Sequence, residues 1–339
     1  MTQDPNAPKP DPTWPKDEFG KNEAWFSFQT IAGLVAFVIF AAFLLTSASH
    51  RIASRKNQLV IYCAQDQVYA EPIFKAFQKE TGIKVRPIFD SEAVKTVGLA
   101  NRLLAERNHP QCDLFWGNEE MRTRQLAAQN VFRETNGWAA FGYRSRRMVI
   151  NTNRLSIAEA PHSLLELTNA AWHGKLALAY PQFGTTATHF HALHQEWGDA
   201  GWQTWCHALM ANKPLLVDGN STVVKLVARG EALVGLTDSD DIADGQREGL
   251  PVAMLPMTAE TLLIPNTVAV VRDAPHPRAA ELFFNYVQRR EVVEQLIAAK
   301  ALEGSSTSEV KGTTLNVNWD RLLTDLEPTT AELCGLFLR

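Results

Sequence analysis

The chain has 339 residues, of which 45% are hydrophobic, and its formal net charge is −4. A chain of this length can bury a sizeable core and is long enough for two lobes. Because no run of lysine or arginine occurs, we do not expect nucleic acid as a partner. The four cysteines are far apart and form no CxxC pair, so the sequence supports neither a zinc knuckle nor a thioredoxin motif.

The amino-terminal segment has the composition of a tail followed by a membrane anchor. Residues 1–24 are rich in proline and polar side chains, which is typical of a disordered tail. Residues 24–49 carry no charge, and a span of roughly 20 apolar residues is enough to cross a bilayer. We therefore predict an uncleaved transmembrane signal-anchor helix over residues 25–48. The alternative is a cleavable signal peptide, with small residues at 47–49 as its cleavage site.

Strands and helices alternate after residue 57. Short apolar runs predict strands, and apolar residues at helical spacing predict helices. In the first half we predict strand 59–63, helix 68–80, strand 83–89, a helix ending near 104, and strands 113–116 and 148–150.

A second set of elements follows, and the alternation predicts an α/β fold with mainly parallel sheets arranged as two lobes. Its members are strand 175–179, helix 186–197 ended by Gly198, strand 215–217, helix 222–228, strand 233–236, an extended run 262–271, and helices 277–288 and 292–300.

Three carboxylates, Asp238, Asp240 and Asp241, directly follow the predicted strand 233–236. Ligands of α/β domains gather beyond the carboxyl ends of strands. Acids packed there repel one another unless a cation or a set of donors lies among them. The pattern therefore indicates a site for a metal ion or an organic cation, although a single acid such as Asp238 also serves to cap the next helix. Acids at other predicted strand ends are Asp66, Glu92, Glu119 and Glu120.

A strand–loop–helix passage contains Gly184, Thr185 and Thr186. Backbone amides at a helix start donate hydrogen bonds to anions or carbonyl oxygens, so this passage is a further candidate for ligand contact. A similar turn precedes the next predicted helix at Asn220. In each case a plain turn with a helix cap is the competing interpretation.

Three histidines, His189, His191 and His194, lie close together in the predicted helix 186–197. We interpret them as exposed helix residues. The minor alternative is a metal site shared by His191 and His194, which lie one turn apart.

Seven stretches form a recognisable set in chain order, including FWGNE at 115–119 and IPNTVA at 264–269. Together they resemble family 1 extracellular solute-binding proteins, in the iron(III)-type branch that serves ABC importers. The complete set is 59–72, 77–85, 115–119, 183–189, 235–241, 264–269 and 274–277.

The resemblance implies a type II periplasmic-binding-protein fold, in which two lobes joined by two crossing strands close on a ligand. It implies that lobe one comprises 57–148 and 262–339 and that lobe two comprises 149–261. Iron-binding members often place a tyrosine pair after the strand equivalent to 233–236 and a histidine after the first strand. This sequence has Asp240 and Asp241, and Gln65 and Asp66, at those places. Carboxylates and amides suit a harder or more hydrated cation, or a polar organic ligand.

The resulting prediction is a binding protein rather than an enzyme, with a small solute in the cleft and no cofactor. A metal cation such as iron is the predicted solute, and the alternatives are a cationic or phosphonate-like organic ligand, a metal-dependent hydrolase, or a sensory role. The predicted metal ligands are Asp66, Glu119, Asp240 and Asp241. The predicted ligand-binding residues are Gln65, Asp66, Trp116, Asn118, Glu119, Thr185, Thr186, Asn220, Asp238, Asp240 and Asp241.

The predicted partners are the solute, an ABC permease and the membrane, and we expect a monomer. Arg51, Arg55 and Lys56 follow the apolar span and weakly favour a cytoplasmic carboxyl side. The implied role requires the opposite orientation, with the carboxyl-terminal domain in the periplasm or outside the cell. We therefore predict a single-pass protein of the cytoplasmic membrane, or a secreted protein if the amino-terminal segment is cleaved.

Overall fold

The computed structural model describes residues 57–89, 95–312 and 314–338, together with Phe37 and Phe40. The described residues from Asn57 onward form one compact unit. The predicted tail and membrane anchor lie outside the described residues, apart from Phe37 and Phe40, which are helical. None of the helices in the described part of the chain has the length and apolar composition of a membrane span.

Nine strands of the described chain pair into one continuous sheet, in the order β2-β1-β3-β9-β4-β7-β5-β6, with β8 paired to β4. The strands are β1 Gln58–Cys63, β2 Lys84–Ile88, β3 Leu114–Gly117, β4 Trp138–Asn151, β5 Leu176–Ala179, β6 Leu215–Val217, β7 Val234–Asp238, β8 Val252–Met254 and β9 Leu263–Val270.

The sheet contains two parallel sets joined by two long strands. β1 pairs parallel with β2 and β3, and β5 pairs parallel with β6 and β7. β4 and β9 pair with each other in antiparallel fashion, and they also pair antiparallel with β7 and β3 respectively. β4 and β9 are therefore the crossing strands that connect the two lobes.

Strand β4 is much longer than the predicted strand 148–150. It has 14 residues, and its centre carries the polar sequence Arg144-Ser145-Arg146-Arg147. These four polar residues broke the apolar pattern on which the prediction relied. Arg144, Ser145 and Arg146 are nevertheless buried, because the strand runs through the junction of both lobes.

Helices cover both faces of the sheet, and glycines mark two of their boundaries. Gly82 ends the first helix with φ of 70°. Gly198 does not end the fourth helix as predicted, but kinks it with φ of 68° and ψ of 169°. The helices are Gln67–Thr81, Lys95–Glu106, Glu120–Ala128, Gly184–Ala211, Asn220–Arg229, Ser239–Arg247, Pro277–Val287, Arg290–Ala298, Trp319–Thr324 and Leu326–Phe337.

The last helix packs on the second lobe. Leu333 and Phe337 belong to the same buried cluster as Phe190 and Trp205 of the long fourth helix. The ring centroids of Phe190 and Phe337 lie 5.5 Å apart. This packing differs from the predicted assignment of all of 262–339 to lobe one. The other lobe boundaries stay a prediction.

Candidate functional site

A polar cavity of about 190 Å³ lies between the two lobes. The first lobe contributes the start of the helix Gln67–Thr81, and the second contributes the helices Asn220–Arg229 and Ser239–Arg247. Among the described residues, its walls hold five carboxylates and one lysine. The lining residues are Asp66, Val68, Tyr69, Ser221, Val224, Lys225, Asp240, Asp241, Asp244, Gly245, Glu248 and Leu250.

The three acids at the carboxyl end of β7 do lie together. One carboxylate oxygen from each of Asp238, Asp240 and Asp241 lies within 4.8 Å of the other two. Asp238 and Asp240 are buried, and Asp241 is half-buried. The sequence pattern therefore placed this cluster correctly, and at that spacing the acids need a strong counter-charge.

Two buried arginines of β4 supply the counter-charge. Arg144 Nη1 donates to both carboxylate oxygens of Asp240, at 2.6 and 2.8 Å, and lies 3.0 Å from Asp238 Oδ2. Arg146 Nη1 donates to Asp238 Oδ1 at 2.7 Å. The antiparallel register of β4 and β7 puts Arg146 directly opposite Asp238. Two acids and two arginines thus form a charge-balanced group in the interior.

The Oδ2 oxygen of Asp238 that lies near Arg144 also accepts hydrogen bonds from the helix starts of the second lobe. Thr185 Oγ1 donates to Asp238 Oδ2 at 2.7 Å, and Asn220 Nδ2 donates to the same oxygen at 3.2 Å. Asn220 Oδ1 also accepts from Arg146, and it lies 3.4 Å from Thr186 Oγ1. Asp238 is at the N-cap position, but its side chain makes no cap hydrogen bond. The capping interpretation of this side chain is therefore wrong.

Burial and neighbouring charges move the pKa values of the two buried acids in opposite directions. Burial raises the pKa of Asp240 to about 6, with Asp238 and Asp66 adding to the rise and Arg144 opposing it. Burial acts on Asp238 in the same way, but Arg144 and Arg146 outweigh it and hold the pKa of Asp238 below its usual range. The ionised form of Asp238 is therefore the more strongly stabilised of the two.

Contacts beside the cavity join the two lobes. Arg144 Nη2 donates to the backbone oxygen of Asn118, which follows β3, at 3.1 Å. The hydroxyl of Tyr69 donates to the backbone oxygen of Asp240 at 3.1 Å. The guanidinium of Arg247 lies 5.3 Å from the centre of the Tyr69 ring. Burial and the nearby Asp240 raise the pKa of Tyr69, so its hydroxyl keeps its proton.

Glu119, a predicted metal ligand, instead caps a helix. Its two oxygens accept from the backbone amides of Met121 and Arg122, at 2.7 and 3.0 Å, and from Thr188 Oγ1 at 3.2 Å. The residue is fully buried. Its carboxylate is therefore committed to the start of the helix Glu120–Ala128, which is the role that the capping pattern describes.

Eight predicted ligand-binding residues lie outside the cavity lining, namely Gln65, Trp116, Asn118, Glu119, Thr185, Thr186, Asn220 and Asp238. Trp116 is fully buried and packs edge-on against Phe74 and Phe141, with ring centroids 5.7 Å away in each case. Its predicted position at the cleft is therefore wrong, because β3 turns this side chain into the first-lobe core. Gln65 is also buried, and its Oε1 accepts from Asn266 Nδ2 of β9 at 2.6 Å.

The interpretation of the histidine tract as exposed is wrong for two of its members. His189 and His191 are each 1% exposed, and burial lowers both pKa values to about 3. His189 Nε2 is hydrogen-bonded to the backbone oxygen of Glu260 at 2.7 Å, which makes this nitrogen the donor. His194 is half-buried and bonds Asp199. The tract therefore serves packing of the long helix.

Sequence reasoning missed both arginines beside the cavity and two of the five acids that line it. Asp244 and Glu248 lie three and seven positions after Asp241, so helical spacing places all three near one face. That signal was present in the sequence. The arginines gave a weaker signal. Arg144 and Arg146 lie two positions apart, so they share one face of a strand, but apolar periodicity alone did not reveal that strand.

The comparison with known proteins gives the family. Residues 59–298 match the sequence profile described as bacterial extracellular solute-binding protein. The chain belongs to this family. The Fe(3+)-binding periplasmic protein of Serratia marcescens is 29% identical over 224 residues, which are 61% of this chain and 64% of that protein. The match thus spans less than two thirds of this relative.

Solved structures show the same architecture. Iron-bound HitA from Pseudomonas aeruginosa aligns with a TM-score of 0.69 and 19% identity, over 81% of this chain and 99% of HitA. AfuA from Actinobacillus pleuropneumoniae, with fructose-6-phosphate bound, aligns with a TM-score of 0.70 and 20% identity, over 83% of this chain and 98% of AfuA. At these identities the likeness shows the fold alone, which is the two-lobed α/β fold of periplasmic binding proteins.

Proposed function

We propose that the chain is the solute-binding component of an ABC-type importer, and that it captures a small cationic solute in the interlobe cavity. The observation that carries this proposal is the charge of the lining, in which five carboxylates face one lysine around about 190 Å³. Such a wall attracts a positive solute and repels an anion. Members of this family are described as solute-binding proteins, which supports binding rather than catalysis.

The position of the cavity supports capture by lobe closure. Asp66 and Tyr69 come from the first lobe, whereas Asp241 and Asp244 come from the second. A cation held between them contacts acids of both lobes and stabilises the closed arrangement over an open one. Closure of two lobes on a ligand is a common form of hinge motion.

The chemistry of the lining fits ferric ion poorly, although the Serratia marcescens relative is described as Fe(3+)-binding. Among the described residues that line the cavity, Tyr69 is the one tyrosine. Its hydroxyl is protonated and donates to Asp240, so it offers no tyrosinate oxygen. We therefore place a different cation in this cavity.

For the cellular setting we propose a membrane-tethered protein whose binding domain lies in the periplasm or outside the cell. The apolar, uncharged segment 25–48 supports the tether. The description of the Serratia marcescens relative as periplasmic supports the location of the domain.

Native mass spectrometry of the purified protein, followed by calorimetric titration, tests the proposed function. We expect a copurified solute with positive charge, and measurable binding by members of a panel of amines and divalent cations. Sugar phosphates and other anions serve as matched negative controls. Binding of an anion or a neutral solute, with no response to any cation, would refute cation capture.

A further inference from the structure

We propose that Arg144 determines the specificity of the interlobe cavity, because its guanidinium occupies the position between Asp238 and Asp240 that a metal ion would otherwise take. The cavity then selects a small organic cation, of the class of aliphatic amines, over a coordinated metal ion. This inference rests on the proposed function and names the class of solute.

The geometry around the guanidinium is that of a bound cation. Arg144 Nη1 lies 2.6 and 2.8 Å from the two oxygens of Asp240 and 3.0 Å from Asp238 Oδ2. Arg144 Nη2 adds the backbone oxygen of Asn118 at 3.1 Å. The guanidinium therefore contacts four oxygens, three from the second lobe and one from the first. An oxygen-preferring metal ion would gather a similar set at about 2.0–2.6 Å.

The guanidinium is a permanent occupant of this position. Its side chain is 2% exposed, and its backbone is fixed in the crossing strand β4. Arginine keeps its charge at every accessible pH. A metal ion would have to lose its water and also displace a buried ion pair, which leaves an uncompensated buried charge. Arg144 thus blocks the acid cluster that the sequence presents as a metal site.

The rest of the cavity suits an organic cation. Arg144 and Arg146 balance Asp238 and Asp240, and Arg247 pairs with Asp244, so the attraction for solute comes from the excess of the other carboxylates in the lining over the one lysine. Apolar side chains also line the cavity and can contact the aliphatic part of an amine. A cavity of about 150 Å³ holds a benzene-sized molecule, so about 190 Å³ suits a small amine. The carboxylates are Asp66, Asp241, Asp244 and Glu248, and the apolar residues are Val68, Val224 and Leu250.

The test compares the binding of Tb³⁺ and of a panel of aliphatic mono- and diamines by wild type and Arg144→Gln. Tb³⁺ prefers oxygen ligands and reports binding by its luminescence. Removing Arg144 leaves Asp238 and Asp240 short of a cation, so we expect at least about thirtyfold tighter Tb³⁺ binding by Arg144→Gln than by wild type. The matched control is Arg147→Gln on the same strand, which breaks a 2.8 Å ion pair with Glu303 away from the acid cluster. We expect the Arg147→Gln control to bind Tb³⁺ no more tightly than wild type.

Unfolding is measured with and without Tb³⁺, because Arg144→Gln leaves a buried acid without its partner. A variant that folds and binds Tb³⁺, or that folds only when Tb³⁺ is added, supports the inference. Three results would overturn the inference. The variant could fold without binding Tb³⁺ more tightly than wild type, or it could stay unfolded in saturating Tb³⁺. Wild type could also already bind Tb³⁺ as tightly as the variant. If the variant gains Tb³⁺ binding while wild type binds no cation, the role of Arg144 stands and the proposed cation capture fails.

Discussion

The hydroxyl of Tyr69 donates a buried hydrogen bond of 3.1 Å to the backbone carbonyl of Asp240, 171 positions along the chain. Tyr69 lies in the helix Gln67–Thr81 of the first lobe, and Asp240 lies in the helix Ser239–Arg247 of the second. Both residues also line the cavity. The same contact therefore joins the lobes and forms part of the wall that would enclose a solute.

Tyr69→Phe is expected to favour opening of the lobes. The change removes one hydrogen bond, which contributes on the order of 0.5–1.5 kcal/mol, and leaves the ring in place. Small-angle scattering without solute should show a larger mean radius of gyration than wild type, and added solute should reduce the difference. Tyr286→Phe is the matched control, since Tyr286 packs within the first-lobe core. Identical scattering of Tyr69→Phe and wild type would show that this bond does not hold the lobes together.

Glu119→Gln is expected to lower stability without changing solute affinity. The carboxylate accepts three hydrogen bonds inside the protein and is fully buried. Loss of a cap interaction lowers the free energy of unfolding by about 1–2 kcal/mol. Chemical denaturation measures the first effect and calorimetry the second. A tenfold or greater loss of affinity in a folded Glu119→Gln variant would restore the sequence-based assignment of this residue as a ligand.

His189 is expected to make the protein less stable as pH falls. Burial and the nearby Arg146 lower its pKa from 6.5 to about 3 in the folded protein. Between those values the unfolded chain binds a proton that the folded chain does not, so stability decreases on acidification. For one such group, the free energy of unfolding decreases by about 1.4 kcal/mol for each pH unit of acidification.

His189→Gln tests this slope, because the amide nitrogen of glutamine can still donate to the Glu260 carbonyl. Between pH 6.5 and 4.5, the variant should lose roughly 2–3 kcal/mol less stability than wild type in denaturant titrations. His109→Gln, at an exposed position, should behave like wild type. Parallel stability curves for wild type and His189→Gln would contradict a buried, neutral His189.

The proposed topology predicts that the binding domain is accessible from outside the cytoplasmic membrane. Protease added to intact spheroplasts should digest residues 57–339, since long domains translocate against a weak charge bias. A cytoplasmic marker protein must stay intact in the same sample. Digestion that occurs only after lysis would place the domain inside the cell and contradict the import role.

Local patterns predicted most of the regular structure. The strand predicted at 215–217 matches β6, Leu215–Val217, and the helix predicted at 277–288 closely matches Pro277–Val287. Their apolar spacing is set by residues near in sequence, which is why the sequence reveals them. The long crossing strand β4 was not found, because its arginines are buried only through partners far along the chain.

The candidate site could be predicted in part, for the same reason. Asp238, Asp240 and Asp241 are neighbours in sequence, so their clustering was visible. Their pairing with Arg144 and Arg146 depends on the register of β4 against β7, which joins residues about 90 positions apart. The sequence therefore showed the three acids, whereas the two arginines that pair with Asp238 and Asp240 became visible only in the folded chain.

Calorimetric titration of Asp66→Asn/Asp241→Asn with the copurified solute tests cation capture most directly. The two acids face the cavity from opposite lobes, and asparagine keeps their size while removing two charges. We expect an affinity loss of at least about thirtyfold with the fold intact, since losing a close charge partner in a desolvated site costs on the order of 2–5 kcal/mol. Asp320→Asn/Glu327→Gln removes the same charge at exposed positions and should bind like wild type. Unchanged affinity in the folded Asp66→Asn/Asp241→Asn variant would contradict capture of a cation between the lobes.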